Sequence, residues 1–439
     1  MKRITLFASL ALASCLTVSA QRTPTHPLDI QDAKFENLPN YLEAWLKGEM
    51  KQPQGVSDID DQFFISRVRP LDRIKDGDYQ VRPEVKRDRK MCLWTPLDDP
   101  TSKWKALPRY CFEGDNFSLW SYIDIHGNWT SPWIRSTAGL TDVAHKNGVS
   151  VGCVMSIGYG AYIYLNQWRP DTYSKTLYKL TKKEGGKFVY AAPLVRMMKY
   201  YGVNGIGFNS EFRTSSDVMA TLTDFFVACH KEAEKINWKF EVHWYDGTGD
   251  DGSIHFDGGL GSHNQNIFGD KDHIATDMLF ANYNWGPSHL RGSVSTAQRL
   301  GRSSFDYYAG FDIQGRGLRQ PSWSALLNND ISIGFWGAHS QSLIHQSATD
   351  NGTSDIAIQK TYLKKQELMF SGGYNNPALL PAINTDCNLA NASLKNFHGL
   401  ATFLSAKSTI QQVPFVSRFN LGNGLSFRKD GKITFDHKW

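Results

Sequence analysis

The sequence predicts an α/β protein centred on a (β/α)8 TIM barrel, with an N-terminal arm before it and the start of a C-terminal β-rich module after it. Three observations predict this. From residue 117, short β-branched and aromatic runs alternate with longer amphipathic ones, the pattern of βαβ units and a parallel sheet. Seven strand candidates fall within about 220 residues. The first is not followed by a G-x-G-x-x-G turn, which favours a closed barrel over a dinucleotide-binding sheet. The 41% of hydrophobic residues in a 439-residue chain exclude a disordered protein.

The elements follow in order. In residues 1–20, Lys2 and Arg3 precede the apolar run Ile4–Leu16, and Val18-Ser19-Ala20 offers small residues before Gln21. This predicts a bacterial-type signal peptide cut near Ala20, hence an exported protein: periplasmic, cell-surface or extracellular. A second reading takes Leu12-Ala13-Ser14-Cys15 as a lipobox, with a lipid anchor at Cys15. No later run has 18 apolar residues, so no transmembrane segment is expected. Residues 21–115 are Pro-, Asp- and Arg-rich and read as an arm packed on the barrel, with one short helix near Leu38–Lys47.

Residues 116–400 read as the barrel. Its strand candidates are Leu119–Ile125, Ser150–Ser156, Gly202–Phe208, Lys239–Trp244, Met278–Tyr283, Asp306–Ile313 and Ile331–Trp336; the eighth strand is not evident. Between them lie helical patterns at Ser136–Asn147, Tyr173–Lys183, Lys187–Tyr201, Ser216–Lys235, Ser288–Leu300 and Ile356–Met369. Residues 401–439 read as hairpins, with turns at Leu421-Gly422-Asn423-Gly424 and Asp430-Gly431. The pattern stops at Trp439 in mid-course, which favours a truncated β-rich module.

Composition narrows the chemistry. The formal charge of +5 falls to +3 without Lys2 and Arg3, too weak a bias for nucleic acid. Aromatic residues reach 13%, with 13 Trp and 18 Tyr, which raises the odds of a carbohydrate ligand. Six cysteines are present, five without Cys15; Cys92 and Cys111 could pair, while Cys153 and Cys229 read as buried thiols. No Cys–His cluster has zinc spacing, and His243, His255, His263 and His273 read as hydrogen-bonding groups. Asp246–Asp251 is acidic but lacks EF-hand spacing, so a solvated turn is the preferred reading over calcium. No metal or organic cofactor is expected.

Barrel active sites are built at the C-terminal ends of the strands. Along Val203–Glu211, alternation places Gly205, Gly207, Asn209 and Glu211 on one face and Ile206 and Phe208 on the other. The glycine face suits a crowded lumen, and it ends in an amide and a carboxylate. A Glu there, desolvated by aromatics, can hold a proton near neutral pH and deliver it to a leaving oxygen. Next, Glu241, His243 and Tyr245 point inward, so they either line a wet pocket or satisfy one another. The following strands end in Asn282-Tyr283-Asn284-Trp285 and Phe311-Asp312-Ile313-Gln314. Together these ends describe a cleft with hydrogen-bonding groups and stacking faces. Ordinary glycosidases use two carboxylates. The partner of Glu211 is instead Asn209, which can orient a substrate acetamido group while that group's own carbonyl attacks the anomeric carbon. The pair therefore predicts a 2-acetamido sugar at the cleavage point.

Phe208–Glu211, Trp244–Asp246, Asn282–Trp285 and Gly310–Gly317 resemble, in order, the motifs of glycoside hydrolase family 85, and Trp120–Asp124 and Ala144–Val149 are similar to its early barrel. The likeness covers roughly residues 117–320. It implies a (β/α)8 endo-β-N-acetylglucosaminidase that cuts between the two core N-acetylglucosamines of N-linked glycans or glycoproteins. It also implies Asn209 as the acetamido-orienting residue, Glu211 as acid/base, Tyr245 as an assistant and Trp285 as a cleft-lining residue. Glu241, His243, Asn282 and Asp312 complete the expected substrate-binding set. Two stretches depart from the family: His255–Gly259, where it usually has aromatic-Gln-Asn-Glu, and Ser156–Gly160, where it often has an acidic and aromatic pair. Two alternatives stay open, a non-catalytic glycan-binding barrel and a two-carboxylate glycosidase pairing Glu211 with Asp246 or Glu241.

Overall fold

Eight parallel strands close on themselves in chain order in the computed structural model, which describes residues 38–48, 65–75, 82–95, 117–128, 136, 138–157, 159–164, 172–316, 323–338, 355–371, 399–416 and 426–436. The strands are β1 Met91–Thr95, β2 Ile125–Asn128, β3 Ser150–Ser156, β4 Gly205–Asn209, β5 Glu241–Tyr245, β6 Met278–Phe280, β7 Tyr307–Asp312 and β8 Ser332–Trp336. The helices are α1 Leu38–Leu46, α2 Ala138–Lys146, α3 Thr172–Leu180, α4 Ala191–Tyr201, α5 Ser216–Lys235, α6 Gln265–Phe268, α7 Pro287–Arg299, α8 Trp323–Leu327 and α9 Asp355–Ser371.

The strand missing from the sequence reading is β1, which lies within the expected arm. It bridges β8 (Met91↔Ile333) and β2 (Cys92↔Ile125), so the barrel begins well before residue 116. Cys92 is a free, buried thiol on that strand, which corrects the expected pairing; Cys111 lies outside the described residues. Cys153 and Cys229 are buried free thiols. The expected strand Leu119–Ile125 is instead a 3-10 turn, Trp120–Tyr122, ahead of β2. The Asp124 carboxylate explains the late start. It accepts from Met91 N–H and is paired with Arg73 and Lys407 at the foot of the barrel. The helix expected from Lys187 starts at Ala191 because Gly185 and Gly186, both at positive φ, turn a two-stranded hairpin, Lys183–Glu184 with Lys187–Phe188.

The boundary expected at residue 400 also falls inside packed structure. Leu400, Phe403 and Leu404 are buried, and Lys407 N–H donates to Ser121 O. Beyond it, Ser426–Lys429 and Lys432–Asp436 form the expected hairpin around Asp430-Gly431. The turn at Leu421–Gly424 lies outside the described residues, as do residues 1–20. Helix α1 sets Trp45 edge-on against Tyr200 of α4.

Alternation divides the side chains of each strand. Ile206, Phe208, Val242 and Trp244 face the helices, whereas Cys92, Trp94, Ile125, Val154, Met278, Phe280 and Tyr308 fill the lumen. Trp94 and Phe280 stack at 4.6 Å with 5° between their planes. They fit because glycines face them: a Cβ on Gly127 would lie 2.0 Å from Trp94 Cδ1, and one on Gly334 would lie 2.4 Å from Phe280 Cε2. Lower down, a Cβ on Gly205 would lie 2.2 Å from His243 Cε1. Gly205→Ala should therefore overpack the lumen and cost about 1–3 kcal/mol. A urea midpoint is the measurement; an unchanged one would mean that His243 can step aside.

Candidate active site

The end of β4 and the loop after it carry the central pair. Asn209 Nδ2 donates to Glu211 Oε2 at 3.1 Å, and Glu211 N–H donates to Asn209 O at 2.9 Å. Both neighbours of Glu211 are fixed. Ser210 Oγ donates to Tyr245 O, and Thr248 Oγ1 accepts from Phe212 N–H at 3.2 Å. Thr248 Oγ1 also lies 2.8 Å from Ser210 O and 2.8 Å from Phe212 O. Phe212 is fully buried, edge-on to Trp244. The carboxylate is thus carried on a braced turn, and little reorganisation is left for the moment of reaction.

Tyr245 closes β5 beside this pair. Asn282 Nδ2 donates to its Oη at 3.0 Å. Burial, and then the charge of Glu211, push the phenol well above its ordinary range. Tyr245 therefore keeps its proton, and because its oxygen already accepts from Asn282, that proton is available to a ligand. Asp312 ends β7; its Oδ1 accepts from Gly315 N–H at 2.7 Å, and its charge also reaches Tyr245 and Tyr283.

Three expected site residues lie elsewhere. Trp285 is buried in the helix-facing core, edge-on to Phe311, with Nε1 donating to Gly310 O at 2.8 Å. Its indole packs into the wall behind the strand ends. The aromatic ring beside the mouth at that strand end is Tyr283, 6.0 Å from Tyr245. Glu241, which starts β5, and His243, its middle residue, do point inward, but both lie below Tyr245, which ends the strand at the mouth. They pair with each other and with Lys239: Glu241 Oε1 meets Lys239 Nζ at 2.6 Å, and its Oε2 meets His243 Nε2 at 3.2 Å. Burial raises the Glu241 carboxyl, and Lys239 and His243 outweigh it, holding the group well below the usual range.

Asp246 is also removed from the reaction. It follows Tyr245 and so takes the opposite face of the chain, where its Oδ1 accepts from Asn264 Nδ2 at 2.8 Å. With Glu241 sealed and Asp246 turned away, neither proposed carboxylate partner stands beside Glu211. Sequence reasoning also missed Trp336, half-buried at the end of β8 in register with Asp312. The alternation of Ser332-Ile333-Gly334-Phe335-Trp336 was its signal.

The acidic turn after β5 is used internally. Asp250 accepts from Asn266 N–H and Ile267 N–H at the start of α6, and Asp251 accepts from Ser253 N–H and meets His255 Nε2 at 3.0 Å. Among the described residues no group of three His, Cys, Asp or Glu side chains is arranged to hold a metal ion, and no helix is long and apolar enough to cross a membrane.

A family model described as glycosyl hydrolase family 85 matches residues 104–427. The chain belongs to glycosyl hydrolase family 85. Two curated relatives are the cytosolic endo-beta-N-acetylglucosaminidases of Danio rerio, 27% identical over 46% of this chain and 26% of its own length, and of Gallus gallus, 28% identical over 46% and 25%. The chain thus spans about a quarter of the length of the curated relatives it matches. Among solved structures, the glycoside hydrolase domain of Endo-D from Streptococcus pneumoniae R6 superposes with a TM-score of 0.69 at 22% identity, over 88% of this chain and 57% of that one. This likeness establishes the family 85 barrel fold. Both curated relatives are named as cytosolic proteins, which overturns the expectation of an exported enzyme drawn from residues 1–20.

Asp246 gives the folded protein a pH signature. Burial pushes its carboxyl up to about 7, and Oδ2 finds no partner among the described residues. A raised carboxyl pKa means that the folded state holds a proton that the unfolded chain has released. Stability from this group is complete below about pH 4 and is lost as pH rises to about 7. Asp246→Asn should therefore gain on the parent by up to about 1.4 kcal/mol per pH unit across that window and plateau above it. Denaturant midpoints at pH 5 and pH 8 provide the test; a difference that does not vary with pH would refute it.

Proposed function

We propose that this chain is an endo-β-N-acetylglucosaminidase that cleaves the N,N'-diacetylchitobiose core of N-glycans with retention, using the substrate's 2-acetamido group as nucleophile. The observation that carries the reading is the Asn209–Glu211 contact at the barrel mouth, an amide and a carboxyl within 3.1 Å. Family membership and the endoglycosidase relatives support the substrate class.

Asn209 Oδ1 accepts the acetamido N–H, and Tyr245 donates to the acetamido carbonyl to fix its approach. That oxygen bonds to the anomeric carbon as the glycosidic C–O bond breaks, and Glu211 gives its proton to the departing oxygen. An oxazolinium ion remains on the glycan, its N–H still held by Asn209 Oδ1. Glu211, now a carboxylate, takes a proton from water, whose oxygen attacks the anomeric carbon and reopens the oxazoline. Two displacements at one carbon retain its configuration. The protein need not supply a nucleophile, so an amide can stand where a second carboxylate would otherwise be required.

The test is incubation with a panel of high-mannose, complex and core-fucosylated glycoproteins. Mass spectrometry should find each released glycan carrying one N-acetylglucosamine and the protein keeping the other. Glycan bound without any release would favour the non-catalytic alternative.

A further inference from the structure

Glu211 is only half-buried, and its carboxyl has one hydrogen-bond partner among the described residues, Asn209 Nδ2. Its place is therefore set largely by its backbone. Beyond β4 that backbone is held from two sides. Towards β3, Gly160 N–H donates to Glu211 O at 2.7 Å and Arg213 N–H to Ala161 O at 2.8 Å. Towards β5, Thr248 N–H donates to Ser210 O at 2.6 Å and Thr214 N–H to Gly252 O at 2.9 Å.

The β5 side comes closest to the acid. Thr248 is fully buried, and its hydroxyl spans the residue: Oγ1 accepts from Phe212 N–H, and its one proton goes to Ser210 O or Phe212 O. Thr248 is itself anchored, because its carbonyl accepts from Trp244 Nε1 at 3.3 Å and its backbone bridges Ile254. Gly247 lacks a side chain where one would intrude. A Cβ there would collide with Ser210 O and lie 3.3 Å from Glu211 Cγ, tighter than ordinary contact. Asn209 is held differently: it ends β4 in register with Ser156 of β3, inside the barrel sheet. We propose that Gly247 and Thr248 are positioning residues for the general acid. The Thr248 hydroxyl draws the turn in, and Gly247 lets it come close. Disturbing them should misplace the proton of Glu211 and spare the acetamido attack assisted by Asn209. The inference rests on the function proposed above.

Two substrates of the full chain separate it from that reading. One is a glycopeptide carrying the intact chitobiose core. The other is a glycan ending in one N-acetylglucosamine linked to p-nitrophenol, whose departure needs little protonation. Single turnovers with enzyme in excess isolate the first step. Thr248→Val keeps the shape and removes the hydroxyl; it should slow glycopeptide cleavage by about 10- to 100-fold, the scale of a misplacement near 1 Å. Release of p-nitrophenolate should stay within about threefold, and KM for the glycopeptide should change little. Thr248→Ser should recover most of the loss. Gly247→Ala pushes the same turn outward and should show the same selectivity, so it carries the test if Thr248→Val fails to fold. Equal losses on both substrates would make the pair merely structural and overturn the inference alone, as would no loss on either. Failure of the unsubstituted chain to cleave the glycopeptide would overturn the parent reading, and this inference with it.

Discussion

Glu211→Gln is expected to lower glycan release from a natural glycoprotein by at least about 100-fold with little change in KM. The substitution keeps the shape of the side chain and an oxygen that can accept from Asn209 Nδ2, so the braced turn between Ser210 and Phe212 should survive. What it removes is the transferable proton. A substrate with a leaving group such as p-nitrophenolate needs little protonation and should recover much of the rate in the first step. Steady-state kinetics on the two substrates make the comparison. Equal turnover of parent and variant on the glycoprotein would mean that the proton comes from elsewhere.

Asn209→Ala should cost about 100- to 1000-fold on the same glycoprotein, the scale seen when one preorganised hydrogen-bonding group is taken from a charged transition state. Its signature is selectivity. Hydrolysis of a preformed oxazoline should be far less impaired, because that substrate enters after the acetamido attack that Asn209 assists. Asn209→Asp should not rescue activity: it would set a second carboxylate within about 3 Å of Glu211, and the two would compete for one proton. Unchanged turnover of the glycoprotein in Asn209→Ala would eliminate the substrate-assisted route.

Side-chain alternation carried much of the site reading. It placed Asn209 and Glu211 on one face, with the two glycines below them, because a strand's period of two is a local property. The helix at Ser216–Lys235 was equally legible: Ser215 caps it by accepting from Val218 N–H, and its ends obey local chemistry. Depth along the barrel axis is not local. Tyr245, His243 and Glu241 share a face, yet only Tyr245 reaches the mouth, because the register of β5 against its neighbours decides which end of a strand meets solvent. Trp285 illustrates the same limit. Its indole sits against Phe311 and Gly310 O, groups about 25 residues further along the chain.

By itself, then, the sequence determined the barrel, the family likeness and the amide–carboxyl pair, all of which rest on short-range periodicity and contiguous motifs. The tertiary structure alone decided that the chain's apparent arm supplies the closing strand, that Glu241 is taken up by Lys239 and His243, and that Tyr283 and not Trp285 borders the mouth. Each of those outcomes depends on which distant segment lies alongside, and strand registry and burial are fixed only when the sheet closes.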